Sequence, residues 1–189
     1  ANKGDGGIND YLFEKGNQLT TLALALDNIT SSLSSSSSSS IDHFDIISKE
    51  IDKEYDTTST KVDIESDSFI TNVLNTVITD KNLTITEANK QNVLNALEGV
   101  LPIIQVKTSS DNTTSINRFA FSTLQTDIAK LADGSASATT VNNYTSNILA
   151  YIASDQGLTD SDIVPDIAAV GDSLTTNEDT ASTVNVLAN

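Results

Sequence analysis

The chain of 189 residues contains no cysteine, no methionine and no tryptophan. Without cysteine it has no disulfide framework, no thiol nucleophile and no thiolate metal site. Its one histidine, His43, excludes a histidine-rich metal site and leaves any Ser-His-Asp triad dependent on a single residue. Because Asp42 and Asp45 flank it on an acidic predicted helix, His43 is expected to be a solvated side chain.

Basic residues are also scarce, with 10 Lys and Arg against 26 Asp and Glu, so the formal net charge is −16. From Leu131 to Asn189 there is no Lys or Arg. Such a chain repels phosphate backbones, so we expect no nucleic acid partner. The bias is typical of bound Ca²⁺, of a salty environment or of the mutual repulsion that keeps a secreted chain dispersed. A salty environment and mutual repulsion together are the simpler interpretation of this acidic bias.

Long apolar runs are absent as well. No run approaches the roughly 18 apolar residues of a membrane-spanning helix, so no direct membrane insertion is expected. The chain begins ANKGDGG, with neither an initiator Met nor an apolar signal sequence, which indicates a processed product or an excised fragment. Its hydrophobic content of 38% is still adequate for the core of one ordinary domain or of two small units.

The chain does contain an internal repeat. The segment 69–84, FITNVLNTVITDKNLT, recurs 75 positions later as 144–159, YTSNILAYIASDQGLT. The paired residues are Phe69 and Tyr144, Asn72 and Asn147, Val73 and Ile148, Val77 and Ile152, and Asp80 and Asp155. The same offset relates the apolar positions 19, 22, 26 and 29 to positions 94, 97, 101 and 104. The repeat predicts that one structural unit was duplicated.

Apolar residues spaced three and four apart predict three helices in each copy, over 9–33, 41–55 and from 69 onward in the first. The third helix is rich in β-branched residues, so a strand is the competing interpretation; Ser66, Asp67 or Ser68 would cap the helix. In the second copy Pro102 should end the first helix early. The fold class is therefore mainly α, with two tandem three-helix repeats followed by a short C-terminal β segment. The repeats either pack side by side or form a single six-helix domain.

The middle helix of each copy has a predicted apolar face. On the first, Phe44, Ile47, Ile51 and Tyr55 share one face. An offset of 77 aligns this face with 116–133 better than an offset of 75. The aromatic residues expected in the core are Phe44, Phe69, Phe121 and Tyr144.

The segments between the predicted helices are polar. The serine run 34–40 and its counterpart 109–115 are predicted loops. Thr84 and Glu87 are a predicted capping box.

These patterns divide the chain into five parts. They are a flexible N-terminus at 1–7, the first repeat at 8–83, the second repeat at 84–158, a linker at 159–168 and a β segment at 169–189. The last boundary rests on a change of pattern, since the helical periodicity stops after Asp162. Pro165 disfavours helix at Val164, and short β-prone segments follow.

The β segment resembles the start of the cadherin-like or VCBS-type immunoglobulin-like repeats of large bacterial surface adhesins. The residues that carry the resemblance are Ala169, Asp172, Thr175–Thr176, Glu178–Asp179–Thr180 and Val186–Leu187–Ala188–Asn189. It implies a secreted or cell-surface bacterial protein. Either the chain is cut at the start of such a repeat, or its last strand completes a sheet on a neighbouring molecule. The residues of that assembly strand would be Thr183, Val184, Asn185, Val186 and Leu187.

Acidic turns between predicted helices are the best candidate metal site. The oxygen ligands would be Asp80 and Asn82 in the first copy, and Asp155, Asp160 and Asp162 in the second. Ca²⁺ prefers such oxygens, but an EF-hand loop needs Gly at its sixth and Glu at its twelfth position. From Asp80 these positions hold Ile85 and Gln91, so the match fails. Helix capping explains the same residues more simply.

Taken together, these features predict a non-enzymatic extracellular module of a bacterial surface layer, matrix or fibre. It would act in structure or adhesion and self-assemble through its C-terminal strand. Its partners would be other copies or neighbouring domains of a surface assembly. No cofactor is expected, apart from Ca²⁺ as a candidate ion. The competing hypothesis is a ligand-binding head for a glycan or a peptide, which would need a pocket with convergent polar groups.

Overall fold

The structure is a computed structural model that describes residues 8–34, 43–104, 110–136, 139 and 146. The helices are α1 (Ile8–Leu33), α2 (His43–Thr58), α3 (Asp67–Asp80), α4 (Glu87–Val100), a 3₁₀ turn (Leu101–Ile103), α5 (Ser110–Phe121) and α6 (Thr123–Asp133). The prediction of a mainly α-helical fold is confirmed for this part of the chain. The second copy of the third helix and the β segment at 169–189 lie outside the described residues. No described helix is long and apolar enough to cross a membrane.

Helix α1 is central to the described fold, since it contacts α2, α3, α5, α6 and the 3₁₀ turn. Its contact with α6 is the most extensive one between any two described elements. Because α1 belongs to the first predicted copy and α6 to the second, apolar residues of both copies form one hydrophobic core. Both packings that the sequence allows, side by side or in a single six-helix domain, agree with such a shared core. The repeat boundaries themselves stay a prediction.

Helix α3 forms where the apolar spacing predicts it, despite its β-branched residues. Its N-cap is Ser66, whose Oγ accepts a hydrogen bond from the amide of Phe69 at 3.3 Å. Five of its apolar side chains are fully buried: Phe69, Ile70, Val73, Leu74 and Val77. Burial on this scale stabilises a helix more than intrinsic propensity opposes it. The helical interpretation is therefore confirmed for the first copy.

The two copies of the first helix end differently, and the difference is at Pro102. Helix α1 has 26 residues without a break, whereas α4 stops at Val100 and Pro102 lies in the 3₁₀ turn. The predicted early end is confirmed, because proline has no amide hydrogen to donate and its ring clashes with the preceding turn. Burial is nevertheless conserved between the copies for three pairs: Leu22 and Leu97, Leu26 and Leu101, and Ile29 and Ile104.

Three local predictions for the second copy are wrong. Residues 110–115 belong to α5 instead of a loop, since Ser, Asp and Asn are well suited to the start of a helix. The single middle helix predicted over 116–133 is broken at Ser122, whose φ of −130° and ψ of −79° are not helical. The cap of α4 is Thr86 instead of Thr84, because it is the Thr86 hydroxyl that accepts from the amide of Asn89 at 3.2 Å.

The buried face of α2 is also different from the predicted one. Phe44 is 51% exposed, so its assignment to the core is wrong, and Tyr55, predicted on the same helix face, is 57% exposed. The buried residues of α2 are His43, Ile46, Ile47 and Glu50. Successive residues of a helix are about 100° apart, so the buried face is turned around the helix axis from the predicted one. This rotation brings the polar residues His43 and Glu50 into the core and exposes Phe44 and Tyr55. Glu50 can be buried because the hydroxyl of Thr76 on α3 donates to it and the ammonium of Lys53 on α2 lies 3.0 Å away.

Exposure also shows which offset relates the two middle helices. An offset of 77 pairs Phe44 with Phe121, which is likewise exposed, and Ile47 with Leu124, which is likewise buried. An offset of 75 would pair the exposed Phe44 with the buried Phe119. The offset of 77 therefore agrees better with the structure. The prediction that Phe121 lies in the core is wrong, that for Phe69 is confirmed, and Tyr144 lies outside the described residues.

Candidate functional site

The predicted calcium turn is described only in the first copy. Asp80 is the last residue of α3 and is exposed. Asn82 has a left-handed backbone with φ of 50°, and across it the amide of Leu83 donates to the carbonyl of Ile78 at 2.9 Å. Asparagine tolerates this conformation better than most residues, so the turn explains Asn82 without a metal.

The other predicted site residues lie outside the described part. They are Asp155, Asp160 and Asp162 of the second acidic turn, and Thr183, Val184, Asn185, Val186 and Leu187 of the assembly strand. Within the described ranges, no group of three or more His, Asp and Glu side chains is placed to hold a metal ion. The calcium site and the assembly strand both stay predictions.

His43 is buried, with 6% of its surface exposed, so the prediction of a solvated side chain is wrong. It is the first residue of α2, and its ring packs against α1. Its Nε2 lies 3.4 Å from Oγ1 of Thr30, and its Nδ1 lies 3.9 Å from Oδ1 of Asp27. Acidic sequence neighbours do not determine exposure, because adjacent residues of a helix point in different directions.

A groove of about 290 Å³ opens between α1, α2 and the segment that joins α2 to α3. Its lining residues are Tyr11, Lys15, Leu19, Ile51, Asp52, Tyr55, Val62 and Ile64, and we call it the tyrosine groove. The four aliphatic side chains are buried or half-buried and form its floor. Tyr11, Tyr55 and Asp52 are exposed and form its rim.

Lys15 is the cation that lies inside the tyrosine groove, and it is held by acidic neighbours. Its Nζ forms an ion pair with Glu65, lies 3.4 Å from Oε1 of Glu14 and donates to Oε1 of Gln18 at 2.9 Å. Burial lowers the pKa of Lys15, but the hydrogen bond and charge of Glu65, with those of Glu14, outweigh it and raise the pKa. Lys15 therefore remains charged, and its charge is balanced by the two glutamates.

The ring of Tyr11 is already in contact with cations. The Nζ of Lys61 lies 4.4 Å from the ring centroid, and that of Lys15 lies 5.8 Å away. Both distances are within the range in which an ammonium is attracted to the negative face of an aromatic ring. Lys61 itself is exposed, so its contact with Tyr11 is one that water and other cations can reach.

A second, more polar cleft of about 360 Å³ lies between α2 and α3. It is lined by Glu50, Lys53, Glu54, Thr57, Thr58, Ser68 and Asn72. The carboxylate of Glu50 accepts from the hydroxyl of Thr76 at 3.0 Å and lies 3.0 Å from the Nζ of Lys53. Glu50 thus ties α2 to α3, and its acceptor capacity is largely used within the fold.

Sequence reasoning missed two buried glutamines that join elements of the two copies. Nε2 of Gln18, on α1, donates to the carbonyls of Leu101 at 2.9 Å and Ile104 at 3.2 Å. Nε2 of Gln125, on α6, donates to the carbonyl of Ala120 at 2.7 Å and that of Thr21 at 3.2 Å. These carbonyls include ones at the ends of helical segments, where intrahelical donors run out. For Gln18 the sequence does contain a signal, since it precedes the apolar Leu22 by four residues and therefore lies on the same face of α1.

Two aspartates of α6 have pKa values shifted in opposite directions. Burial raises the pKa of Asp127 above its ordinary value of 3.8, although the charge of Lys130 opposes the shift. Among the described residues, its Oδ2 is buried without a hydrogen-bond partner. The hydroxyl and the amide of Ser135 donate to Asp133 and lower its pKa.

Asp127→Asn is expected to raise the free energy of unfolding at pH 7, by less than about 1 kcal/mol because the site is partly solvated. A raised pKa means that the native state holds the proton more tightly than the unfolded chain. The stability that this group contributes is therefore present below pH 3.8 and lost as the pH rises through the raised pKa. Urea unfolding between pH 3 and pH 7 measures the difference.

Asp133→Asn is the matched control with the opposite sign. Its lowered pKa contributes stability above pH 3.8 that is lost as the pH falls through the lowered value, so the variant should be less stable at pH 7. If Asp127→Asn is the less stable of the two variants at pH 7, the assignment of the two shifts is wrong.

No protein-family model, no curated protein and no solved structure matches this chain. The resemblance of residues 169–189 to the repeats of bacterial adhesins therefore stays a prediction from those residues.

Proposed function

We propose that the chain is a non-enzymatic structural or adhesion module of a secreted or cell-surface bacterial protein. In this proposal the helical part is a rigid body, and the β segment that follows it assembles with other copies or with neighbouring domains. The extracellular location follows from the resemblance of residues 169–189, and the net charge of −16 opposes non-specific aggregation of a chain outside the cell.

The observation that carries the proposal is the use of buried polar side chains as links between helices. Gln18 joins α1 to the 3₁₀ turn, Glu50 joins α2 to α3, and Gln125 joins α6 to α1. Satisfied buried polar groups rigidify a core and favour one arrangement of its helices. A rigid helical body is what a spacer or an assembly module of a surface layer, matrix or fibre requires.

Electron microscopy of the purified chain, with and without Ca²⁺, tests the assembly. Regular filaments of the wild-type chain are expected, and Val186→Asp should abolish them, because a charge in the assembly strand opposes its addition to a neighbouring sheet. The matched control is Val164→Asp, which changes the same residue type in the predicted linker, outside the β segment, and should leave filaments intact.

Monodisperse wild-type particles in both conditions would contradict assembly through the C-terminal strand. Filaments that persist in Val186→Asp would show that another surface drives the assembly. Filaments that form only with Ca²⁺ would support the proposed strand and, in addition, the predicted calcium site.

A further inference from the structure

We propose that the tyrosine groove binds a lysine or arginine side chain of a partner peptide. The occupant is a basic residue flanked by an apolar one, with its charge at the exposed rim and its hydrocarbon stem over the aliphatic floor. This proposal concerns the ligand-binding alternative and does not depend on assembly through the C-terminal strand.

The first support is that Tyr11 already interacts with ammonium groups of this chain. The contact of Lys61, at 4.4 Å from the ring centroid, shows that the ring is placed to attract a cation. Lys61 is an exposed residue of the segment between α2 and α3, so a basic side chain of another molecule can compete with it. Tyr55, the more exposed of the two tyrosines, offers a second ring on the same rim.

The second support is the charge balance of the rim. Asp52 precedes Tyr55 by three residues on α2, so the two side chains lie on the same face of the helix. Within the described residues, Asp52 forms no ion pair, whereas the charge of Lys15 is balanced by Glu65 and Glu14. Three acidic residues, Glu14, Asp52 and Glu65, thus face two basic ones, Lys15 and Lys61, around the groove. This excess of negative charge favours a positively charged occupant.

The third support is the shape and composition of the groove. Leu19, Ile51, Val62 and Ile64 form an apolar floor that suits the hydrocarbon stem of lysine or arginine. A volume of about 290 Å³ is at the lower end of ligand pockets, which fits one or two side chains of a peptide. A sugar would place more hydroxyl groups against these aliphatic residues than Asp52 and two tyrosine hydroxyls satisfy.

The direct test is an NMR titration of the ¹⁵N-labelled full chain with the peptide acetyl-Leu-Arg-Leu-amide. Amide shift changes should be confined to the tyrosine groove, with a dissociation constant on the order of 1 mM, as expected for a small exposed site. Acetyl-Leu-Glu-Leu-amide should cause no such changes. If cellobiose shifts the same amides and the arginine peptide does not, the groove is a glycan site and the proposal is overturned.

Substitutions separate a specific site from general attraction to an acidic chain. Asp52→Asn and Tyr11→Leu should each weaken binding about threefold, and Lys61→Gln should tighten it about twofold by removing a competing charge. The matched controls are Asp45→Asn, which also removes a negative charge, and Lys49→Gln, which also removes a positive charge. Asp45 and Lys49 form an exposed ion pair elsewhere on α2. They should change the dissociation constant by less than about 1.5-fold.

Equal effects of Asp52→Asn and Asp45→Asn would overturn the proposal, because net charge alone would then explain the binding. Weaker binding by Lys61→Gln would also overturn it, since Lys61 would then be part of the site and not a competitor.

Discussion

Phe69→Ala is expected to lower the free energy of unfolding by about 3–5 kcal/mol. Phe69 is fully buried on α3 and is among the largest side chains of the core. Removing its ring forfeits the burial of the aromatic surface and leaves a cavity that the neighbouring helices fill only in part. Urea unfolding followed by circular dichroism at 222 nm measures the loss.

The matched control is Phe44→Ala, because sequence reasoning placed both phenylalanines in the core. Phe44 is half exposed on α2, so its replacement should cost less than about 1 kcal/mol. Similar losses of stability for the two variants would contradict the described packing of α2 and would support the prediction that Phe44 is buried.

Gln18→Ala is the second substitution with a large expected effect, a loss of about 2–4 kcal/mol. It leaves the carbonyl of Ile104 without the donor that the buried amide supplies, and an unsatisfied buried group costs about 1–3 kcal/mol. The carbonyl of Leu101 loses one of two donors, since it still accepts from the amide of Ile104 at 3.2 Å. The shortened side chain also leaves a small cavity between α1 and the 3₁₀ turn. Chemical unfolding at pH 7 measures the difference.

Gln91→Ala is the control for this prediction, since Gln91 is exposed on α4 and bonds within its own helix to Asn95. Its replacement should change the free energy of unfolding by less than about 0.5 kcal/mol. If Gln18→Ala is equally mild, the link between α1 and the 3₁₀ turn does not contribute to stability.

The helices were the part of the fold that the sequence predicted well. Apolar spacing located α1 and α3, the Ser66 cap was among the predicted ones, and Pro102 ended the repeated first helix as expected. These features depend on local backbone chemistry, which a short stretch of sequence contains. The break at Ser122 was not predictable in this way, because neither Gly nor Pro stands there and Gln125 satisfies the carbonyl of Ala120 only in the folded chain.

The candidate site was largely not predictable, because its residues come from separate segments. Tyr11 and Asp52 line one groove only because α1 packs against α2. His43 and Glu50 are polar residues that a sequence pattern places outside the core, yet both are buried because α1 and α3 supply their partners. Asn82 was predicted as a metal ligand from its oxygen, whereas its left-handed backbone gives it a role in ending α3.

The duplication of a three-helix unit makes one direct prediction, for residues 144–155. Backbone NMR shifts and amide hydrogen exchange of the full chain should show a helix there. Its amides at Ile148 and Ile152 should be protected to a degree comparable with those of Val73 and Val77 in α3. Extended-chain shifts at 144–155, or exchange at the rate of an unfolded peptide, would contradict the duplication.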